Sequence, residues 1–381
     1  MSVEQAKLNH LLLINPVPLS KDRLSNSAVG RKIPPQSLFI LEALTPKDEW
    51  TVQIIDEGGK PFDMRESTKP PFLVGITCMT DQAPQAYRIA EAFRQRGVQV
   101  ILGGAHPTVL PKEALQYADA VCIGEGESVW PKILADAQDG GLQPVYQGGM
   151  ISLDQVPILR HPGRDKYKYG AIQTARGCPF RCKFCSVTAI NGAQIRYRPI
   201  EDVVEEFAGI KQKWVLVADD NFIGTGPRGL DRALRLSQAL AELRQQGIKK
   251  YWATQATQIL GGSKYNELLT WMYKAGCRAV LLGLESINKD VVDDMQKGIN
   301  TVGDYKEHIR NIQDHRIAVI GSFFFGSDSD SPNVFEDTVD FIKNSGLAAQ
   351  NLNLLCPFPG TEIFDPFLQS GRLRYTNFPA D

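Results

Sequence analysis

The fold of this chain is decided by the stretch Thr174-Ala175-Arg176-Gly177-Cys178-Pro179-Phe180-Arg181-Cys182-Lys183-Phe184-Cys185-Ser186. Cys178, Cys182 and Cys185 follow the spacing C-x3-C-x2-C, and Phe184 directly precedes the third cysteine. Three thiolates in one short loop can hold three irons of a cubane cluster, and the fourth iron is left open to another ligand. The sequence therefore predicts a [4Fe-4S] cluster with one reactive iron.

Zinc and a disulfide are the alternative interpretations of this loop. Structural zinc takes four protein ligands, and none of the candidates for a fourth ligand, Cys122, Cys277 and His161, has a zinc-knuckle spacing. The seven cysteines are an odd count, and the chain starts without a signal-peptide pattern, so we expect a reducing compartment, the cytoplasm. The remaining cysteines lie in or beside apolar segments, where burial is expected: Cys78, Cys122, Cys277 and Cys356.

Length and composition predict a two-domain globular protein. The chain has 381 residues, of which 43% are hydrophobic. Its 42 Lys and Arg residues balance 43 Asp and Glu residues, so there is no basic field for nucleic acid and we expect no such partner. The longest apolar stretch, 317–325, is far shorter than the roughly 20 residues of a spanning helix, and we expect no membrane span.

The first part of the chain alternates short apolar runs with amphipathic stretches. We predict strands at 10–15, 51–56, 73–77, 98–103 and 120–123, and helices at 36–44, 82–96, 112–116 and 128–137. This alternation predicts a doubly wound parallel sheet, a Rossmann-like fold, in which ligands bind beyond the carboxyl ends of the strands. Adjacent glycines and small hydroxyl residues after a strand allow a ligand to approach the backbone, although ordinary turn chemistry also explains such loops. The candidate residues are Thr77, Thr80, Gly103, Gly104, His106, Pro107, Gly124, Glu125, Gly126 and Glu127.

A second alternating series follows a stretch rich in proline and glycine, 139–170. Strands are predicted at 171–174, 214–218, 251–254, 279–282, 318–325 and 351–355, and helices at 200–212, 229–246, 264–275, 303–313 and 333–344. Six units are too few to close an eight-stranded barrel. Functional side chains in barrels lie at the carboxyl ends of strands. The candidates at these strand ends are Asp219, Asp220, Asn221, Gln255, Glu285 and Ser286.

The candidates at the strand ends allow more than one role. Paired carboxylates such as Asp219 and Asp220 can accept hydrogen bonds from an ammonium group or orient their neighbours, and Asn221 can equally cap the next helix. Burial of Glu285 is costly unless its carboxylate is hydrogen-bonded.

The cysteine loop resembles the signature loop of the radical S-adenosylmethionine (SAM) superfamily, in which SAM chelates the open iron. The strings Asp219-Asp220-Asn221-Phe222 and Gly283-Leu284-Glu285-Ser286 resemble segments of its cobalamin-type members, and the glycine loops resemble their cobalamin-binding domain. The resemblance implies a cobalamin-binding domain at 1–140, a linker at 141–170, a partial (β/α)6 barrel at 171–362 and a short C-terminal extension at 363–381.

The same resemblance assigns the candidates to cofactors. Phe184 and the strand-end residues of the barrel would contact SAM, with Glu285 accepting from the ribose, and the loops of the first domain would line the cobalamin tail slot. Cobalamin domains of the methionine synthase type carry D-x-H-x-x-G after the first strand, whereas this chain has Asn15-Pro16-Val17-Pro18-Leu19. His106 stays a candidate beside the alternative that protein partners satisfy it.

The activity implied is reductive cleavage of SAM to a 5′-deoxyadenosyl radical, followed by C-methylation of an unactivated carbon in a small-molecule or natural-product substrate. An external electron donor such as flavodoxin or ferredoxin is also implied. Two alternatives stay open: ring closure or rearrangement without methyl transfer, and an iron–sulfur protein for electron transfer or redox sensing.

Overall fold

The computed structural model describes residues 8–18, 32–58 and 70–373. The chain divides into two compact units, the first ending at Tyr167 and the second running from Lys168 to Arg372. No helix of the described residues combines the length and the apolar character that a membrane crossing requires.

The first unit is built on a parallel six-stranded sheet in the order β2-β1-β3-β4-β5-β6. Its strands are β1 Asn9–Asn15, β2 Trp50–Asp56, β3 Leu73–Thr77, β4 Gln99–Gly103, β5 Ala120–Ile123 and β6 Val145–Gln147. Its helices are α1 Gln36–Leu44, α2 Ala83–Arg94, α3 Ala105–Val109, α4 Pro111–Ala114 and α5 Trp130–Gln138. The order reverses between β1 and β3, as in doubly wound folds that bind ligands at such a switch point.

Both faces of this sheet are covered by helices. Along β1, Leu12 and Ile14 pack with α2 on one face, whereas Leu11 and Leu13 pack with α1 and α5 on the other. The run from Leu11 to Ile14 is continuously apolar because successive side chains point to opposite faces and both faces are buried.

The stretch 141–170, predicted as a linker, contains a strand and several buried side chains. Residues Val145–Gln147 add the sixth strand, β6, beside β5. Leu153, Val156 and Leu159 are buried in a cluster with Phe39 of α1. Proline and glycine here make turns within the unit, and the few apolar residues between them supply packing that composition alone does not indicate.

The second unit contains another parallel six-stranded sheet, in the order β14-β13-β12-β11-β10-β7. Its strands are β7 Gly170–Ile172, β10 Trp214–Val217, β11 Tyr251–Ala256, β12 Cys277–Glu285, β13 Ala318–Phe325 and β14 Ala349–Leu354. Its helices are α6 Val187–Asn191, α7 Ile200–Gly209, α8 Gly226–Gln245, α9 Asn266–Ala275, α10 Lys289–Asp294, α11 Tyr305–Asp314, α12 Val334–Ser345 and α13 Phe364–Gln369. Strands neighbour one another in chain order, which is the topology of a partial (β/α)6 barrel, and the predicted fold class is confirmed.

Strands β8 and β9 and helices α6, α10 and α13 of the second unit were not predicted. Strands β8 Ala175–Arg176 and β9 Arg196–Tyr197 pair in antiparallel fashion and enclose the cysteine loop. Helix α13 lies in the predicted C-terminal extension, yet Ile363, directly before it, is buried with Met295 and Phe324 of the barrel unit. Residues 363–372 of the extension therefore belong to the barrel unit, and 374–381 lie outside the described residues.

Candidate cluster and cofactor sites

The cysteine loop is closed at its base by β8 and β9. The backbone N–H of Cys178 donates to the carbonyl of Gly192 at 3.2 Å, and the N–H of Cys185 donates to the carbonyl of Cys182 at 3.0 Å. Gly177 has a φ of 92°, and a Cβ there would overlap the carbonyl of Gln194. Only glycine fits this entry into the loop.

Two carboxylates after β10 hold the root of the loop. The Asp219 carboxylate accepts from the backbone N–H and the hydroxyl of Thr174 and from the N–H of Ala175 at 3.0 Å. Asp220 accepts from the N–H of Gly177 at 2.8 Å and from the side-chain amide of Asn191. Of the two roles considered for this acidic pair, the geometry supports orientation of neighbouring groups, here the cysteine loop.

Burial changes the acidity of this pair. Asp219 is 1% exposed, and desolvation raises its pKa to about 6, although the donors from Thr174 and Ala175 act in the opposite direction. Desolvation also raises the pKa of Asp220, against the hydrogen bond from Gly177. Both acids are more easily protonated than an exposed aspartate.

The next two candidates are also engaged with the backbone. The Asn221 amide donates to the carbonyl of Gly224 at 3.1 Å, while its Oδ1 is buried without a hydrogen-bond partner. The Gln255 amide donates to the carbonyl of Asp219 at 2.9 Å, and its side chain is exposed. Asn221 thus shapes the turn after β10, and Gln255 braces the acidic pair from β11.

The three loop thiols are partly buried and act on one another. Desolvation raises the pKa of each thiol, that of Cys182 to about 11. The charge of Cys185 raises the pKa of Cys178 and of Cys182 further. The positive charge of Lys297 lowers the pKa of all three. In the described part of the chain, no group of three or more His, Cys, Asp or Glu side chains is arranged to hold a single metal ion.

Glu285 ends β12 in a strained conformation. Its φ is 66°, in the left-handed region that non-glycine residues rarely adopt, and the pairing of β12 with β13 is irregular at this point. Its carboxylate is paired with the ammonium of Lys297. Ser286 is buried, and its hydroxyl accepts from the N–H of Asn288 at 3.0 Å.

Asn300 and Tyr305 support this strand end. The Asn300 amide donates to the carbonyls of Gly283 and Leu284 at 2.9 and 3.1 Å, and the Tyr305 hydroxyl donates to that of Leu284 at 2.7 Å. Sequence patterns did not indicate these two residues or Lys297, because their roles depend on the fold of residues far from the strand.

In the first unit, the loops after β3 and β4 are packed tightly together. Gly104 has a φ of 98°, and a Cβ there would lie 2.7 Å from the Thr77 hydroxyl and 2.9 Å from the backbone nitrogen of Cys78. Gly103 precedes it at the end of β4, and Pro107 is buried behind it. The glycine pair thus permits a close approach of two backbone segments.

Thr108 joins these loops to the loop after β5. Its hydroxyl accepts from the N–H of Gly124 at 3.0 Å and donates to the carbonyl of Gly104 at 2.7 Å. Glu125 is buried, and its carboxylate accepts from the N–H of Ile151 at 2.9 Å. Gly126 and Glu127 form the 3-10 turn that follows. Thr108 was not among the predicted site residues, although a threonine after the glycine pair was a usable signal.

His106 lies in the protein core. Its side chain is 0% exposed, and its Nε2 lies 2.9 Å from the Tyr87 hydroxyl and 3.1 Å from Glu113. Its Nδ1 lies 3.3 Å from the hydroxyl of Thr80. This geometry favours the interpretation in which protein partners satisfy the histidine, and it makes Thr80 a link between the loop after β3 and the core.

The other cysteines differ in exposure. Cys78, Cys122 and Cys277 are buried, as predicted, and burial raises the pKa of each thiol. Cys356 is exposed, and the prediction for it is wrong because the last strand of the barrel sheet, β14, is exposed along its length.

Comparison with known proteins identifies both units. A B12 binding domain model matches residues 24–134, and a Radical SAM superfamily model matches residues 172–342. The chain is 30% identical to the bacteriochlorophyllide d C-12(1)-methyltransferase of Chlorobaculum tepidum over 96% of this chain and 80% of that protein. The chain belongs to the B12-binding radical SAM methyltransferase family.

One further relative and one solved structure are also similar to this chain. The hopanoid C-2 methylase of Rhodopseudomonas palustris is 27% identical over 91% of this chain and 66% of that protein. The solved structure of the radical SAM methyltransferase TsrM from Kitasatospora setae, which has cobalamin and a [4Fe-4S] cluster bound, matches with a TM-score of 0.78 and 17% identity over 96% of this chain and 75% of that chain. At this identity the match to TsrM shows the fold alone.

The prediction of a radical SAM enzyme with a cobalamin-binding domain is confirmed by the two family models and by the methyltransferase relatives. The predicted cofactors, a [4Fe-4S] cluster, SAM and cobalamin, are those of this family. The individual residues assigned to SAM and cobalamin stay predictions.

Proposed function

We propose that this member of the radical SAM family C-methylates an unactivated carbon of a small-molecule substrate, with cobalamin as the second cofactor. The observation that carries the proposal is the arrangement of the barrel unit. A three-cysteine loop, rooted by Asp219 and Asp220, begins at the carboxyl end of β7, and Glu285 ends a strand of the same parallel sheet.

The residues present fit the groups that the family uses. Cys178, Cys182 and Cys185 are thiol donors of the number that a cluster with one open iron requires. Glu285 and Gln255 are polar side chains at strand ends, where a bound SAM would meet them. When bound, the cofactors supply the reductive cleavage of SAM and the methyl transfer, while the protein fixes distances and excludes water.

The glycines of the first unit allow its loops to pack closely, as a binding slot for a cobalamin tail requires. Gly104 and Gly124 have positive φ and lie where side chains would overlap neighbouring loops, so the backbone of these loops is compact. We assign the tail contacts to the predicted loop residues, with Thr108 added as the link between loops.

An external one-electron donor such as flavodoxin or ferredoxin is part of the proposal, because the cluster must be reduced before SAM is cleaved. We also place the chain in the cytoplasm, because its odd number of cysteines is typical of a reducing compartment.

The test is anaerobic reconstitution with iron, sulfide and hydroxocobalamin, followed by reaction with dithionite and SAM labelled in its methyl group. Bacteriochlorophyllide and a hopanoid precursor head the substrate panel, since relatives are named for such molecules. We expect 5′-deoxyadenosine, S-adenosylhomocysteine and labelled product from the unmodified chain. Cys182→Ala should form none of them, while the exposed Cys356→Ala serves as the matched control and should retain all three.

The outcomes separate the alternatives. A reconstituted chain that forms no 5′-deoxyadenosine with any substrate would contradict an enzyme and favour an electron-transfer or redox-sensing protein. Formation of 5′-deoxyadenosine with a changed substrate that carries no label would contradict methylation and favour ring closure or rearrangement.

A further inference from the structure

Lys297 is a buried cation of the barrel unit, with a charged partner and a glycine that makes space for it. Its side chain is 10% exposed, and its ammonium group pairs with the Glu285 carboxylate, which is 11% exposed. Gly283 makes room for the pair, because a Cβ at Gly283 would overlap both the ammonium and the carboxylate. Such burial is unfavourable for an isolated charge, so each partner depends on the other.

The segment just before Lys297, which contains Asp294 and Met295, contacts the cysteine loop. The backbone N–H of Lys183 donates to the carbonyl of Met295 at 3.1 Å, and the Lys183 ammonium lies 3.6 Å from the Asp294 carboxylate. The Phe184 ring packs with the cluster of buried side chains that contains Met295. The ammonium of Lys297 lies 5.9 Å from the centre of the Phe184 ring.

The charge of Lys297 therefore lies beside the cysteine loop. Phe184 stands between Cys182 and Cys185 in the chain, and the ammonium of Lys297 lies over its ring. Glu285 is paired with Lys297, and Asp220 accepts from the N–H of Gly177, directly before Cys178. In a partly buried site these charges are poorly screened by water and salt.

We propose that Lys297 is a positioning residue that holds the Glu285 carboxylate and stabilises the negative charge which the cluster gains on reduction. The inference rests on the proposed function, since it requires a cluster in the cysteine loop. In the step concerned, the cluster takes one electron from a low-potential one-electron reductant. No bond forms or breaks, and Lys297 keeps its proton.

The test is the midpoint potential of the reconstituted full-length chain without SAM, measured by titration with dithionite and followed by the electron paramagnetic resonance signal of the reduced cluster. Lys297→Met should shift the potential in the negative direction, because the reduced cluster loses a nearby cation. Lys297→Arg should keep the potential close to that of the unmodified chain. Lys289→Met removes a 77% exposed cation and is the matched control, with no shift expected.

Glu285→Gln removes a negative charge, whereas Lys297→Met removes a positive one. It therefore tests the inference even if Lys297→Met fails to assemble a cluster. Removal of this carboxylate should shift the potential in the positive direction. Iron and sulfide content is measured for every variant. A potential that is unchanged in a fully loaded Lys297→Met, or a Glu285→Gln shift that is absent or negative, overturns the inference while the methyltransferase proposal stands. An unmodified chain that takes up no cluster would instead refute the proposed function itself.

Discussion

Single carboxylates determine how the cysteine loop is held. Asp219 and Asp220 accept hydrogen bonds from backbone N–H groups on the entry to the loop, so their effect reaches the cysteines through the main chain. Two large and opposing effects set the pKa of a fully desolvated carboxylate that accepts several hydrogen bonds: desolvation raises the pKa, and the hydrogen bonds lower it. For Asp219 desolvation is the larger effect, and the raised pKa should be visible as a pH dependence of stability.

Asp219→Asn should remove a pH dependence of stability. Because the pKa of Asp219 is raised to about 6 in the folded chain, its stabilising contribution is present at low pH and is lost as the pH rises through 6. Between pH 5 and pH 7 the free energy of unfolding of the unmodified chain should fall by about 1 kcal/mol relative to that of the variant. Urea unfolding of both apoproteins at the two pH values measures this difference. Parallel pH profiles would contradict the prediction.

Gly177→Ala should weaken the cysteine loop. The added Cβ would overlap the carbonyl of Gln194, and the φ of 92° is unfavourable for alanine. We expect a loss of roughly 1–3 kcal/mol in unfolding free energy and a lower iron content after reconstitution. Gly209→Ala is the control, because a Cβ there meets nothing within 4 Å. Equal iron contents in the two variants would show that the loop tolerates the change.

At the scale of elements, the end of β12 depends on residues that follow it in the chain. Glu285 reaches its left-handed conformation where the strand pairing becomes irregular, and Asn300 and Tyr305 bind the carbonyls just before it. Hydrogen bonds to the carbonyls of Gly283 and Leu284 offset part of the strain at such a position.

Tyr305→Phe should loosen this strand end. Tyr305 is fully buried, and removal of its hydroxyl deletes the 2.7 Å hydrogen bond to the Leu284 carbonyl. The N–H of Ser286 at 2.9 Å and the amide of Asn300 at 3.1 Å are then the donors to this carbonyl. We expect about 1–2 kcal/mol lower unfolding free energy and weaker binding of SAM to the loaded chain. Urea unfolding and equilibrium dialysis with labelled SAM are the measurements. Unchanged SAM binding in a destabilised variant would mean that Glu285 does not depend on this support.

Elements with a clear apolar pattern could be predicted from sequence, whereas the short strands β6, β8 and β9 could not. The predicted strand 73–77 and helix 36–44 agree with the structure residue for residue, because buried strands of a parallel sheet are continuous apolar runs and the helix is strongly hydrophobic. Strands β8 and β9 have two residues each, too few for any periodicity. Strand β6 has three residues, of which Tyr146 alone is buried, so its pattern resembles a turn-rich linker.

At the scale of the whole molecule, the two units have separate cores. Each contains its own parallel sheet, and no strand is shared between them. The side chains assigned to cobalamin lie in the first unit and those assigned to the cluster in the second. Loading of the two cofactors should therefore respond to different substitutions.

Gly104→Ala should reduce cobalamin uptake and spare the cluster. Its Cβ would lie 2.7 Å from the Thr77 hydroxyl, forcing the loops after β3 and β4 apart. We expect weaker binding of hydroxocobalamin, with iron and sulfide contents unchanged, while Cys182→Ala should show the reverse pattern. Gly141→Ala, where a Cβ has open space, is the control in the same unit. Cobalt and iron analysis of the purified variants decides, and joint loss of both cofactors in Gly104→Ala would contradict separate loading.

The candidate sites could be predicted where the functional residues are close together in the sequence. Cys178, Cys182 and Cys185 could be identified because a cluster loop needs thiols within a few positions. Lys297 and Asn300 could not, since they approach Glu285 only after α10 and the turn beyond it have formed. The acids were predicted as site residues, but whether they face a ligand or the backbone was decided by the fold.

The base of the cysteine loop is tied by β8, β9 and two aspartates, through hydrogen bonds that involve no iron. Oxidation by air that destroys the iron–sulfur cluster should therefore leave the cysteine loop in a conformation that can bind a new cluster. Damage of this kind then calls for refilling by iron and sulfide delivery, and new synthesis of the chain is not required.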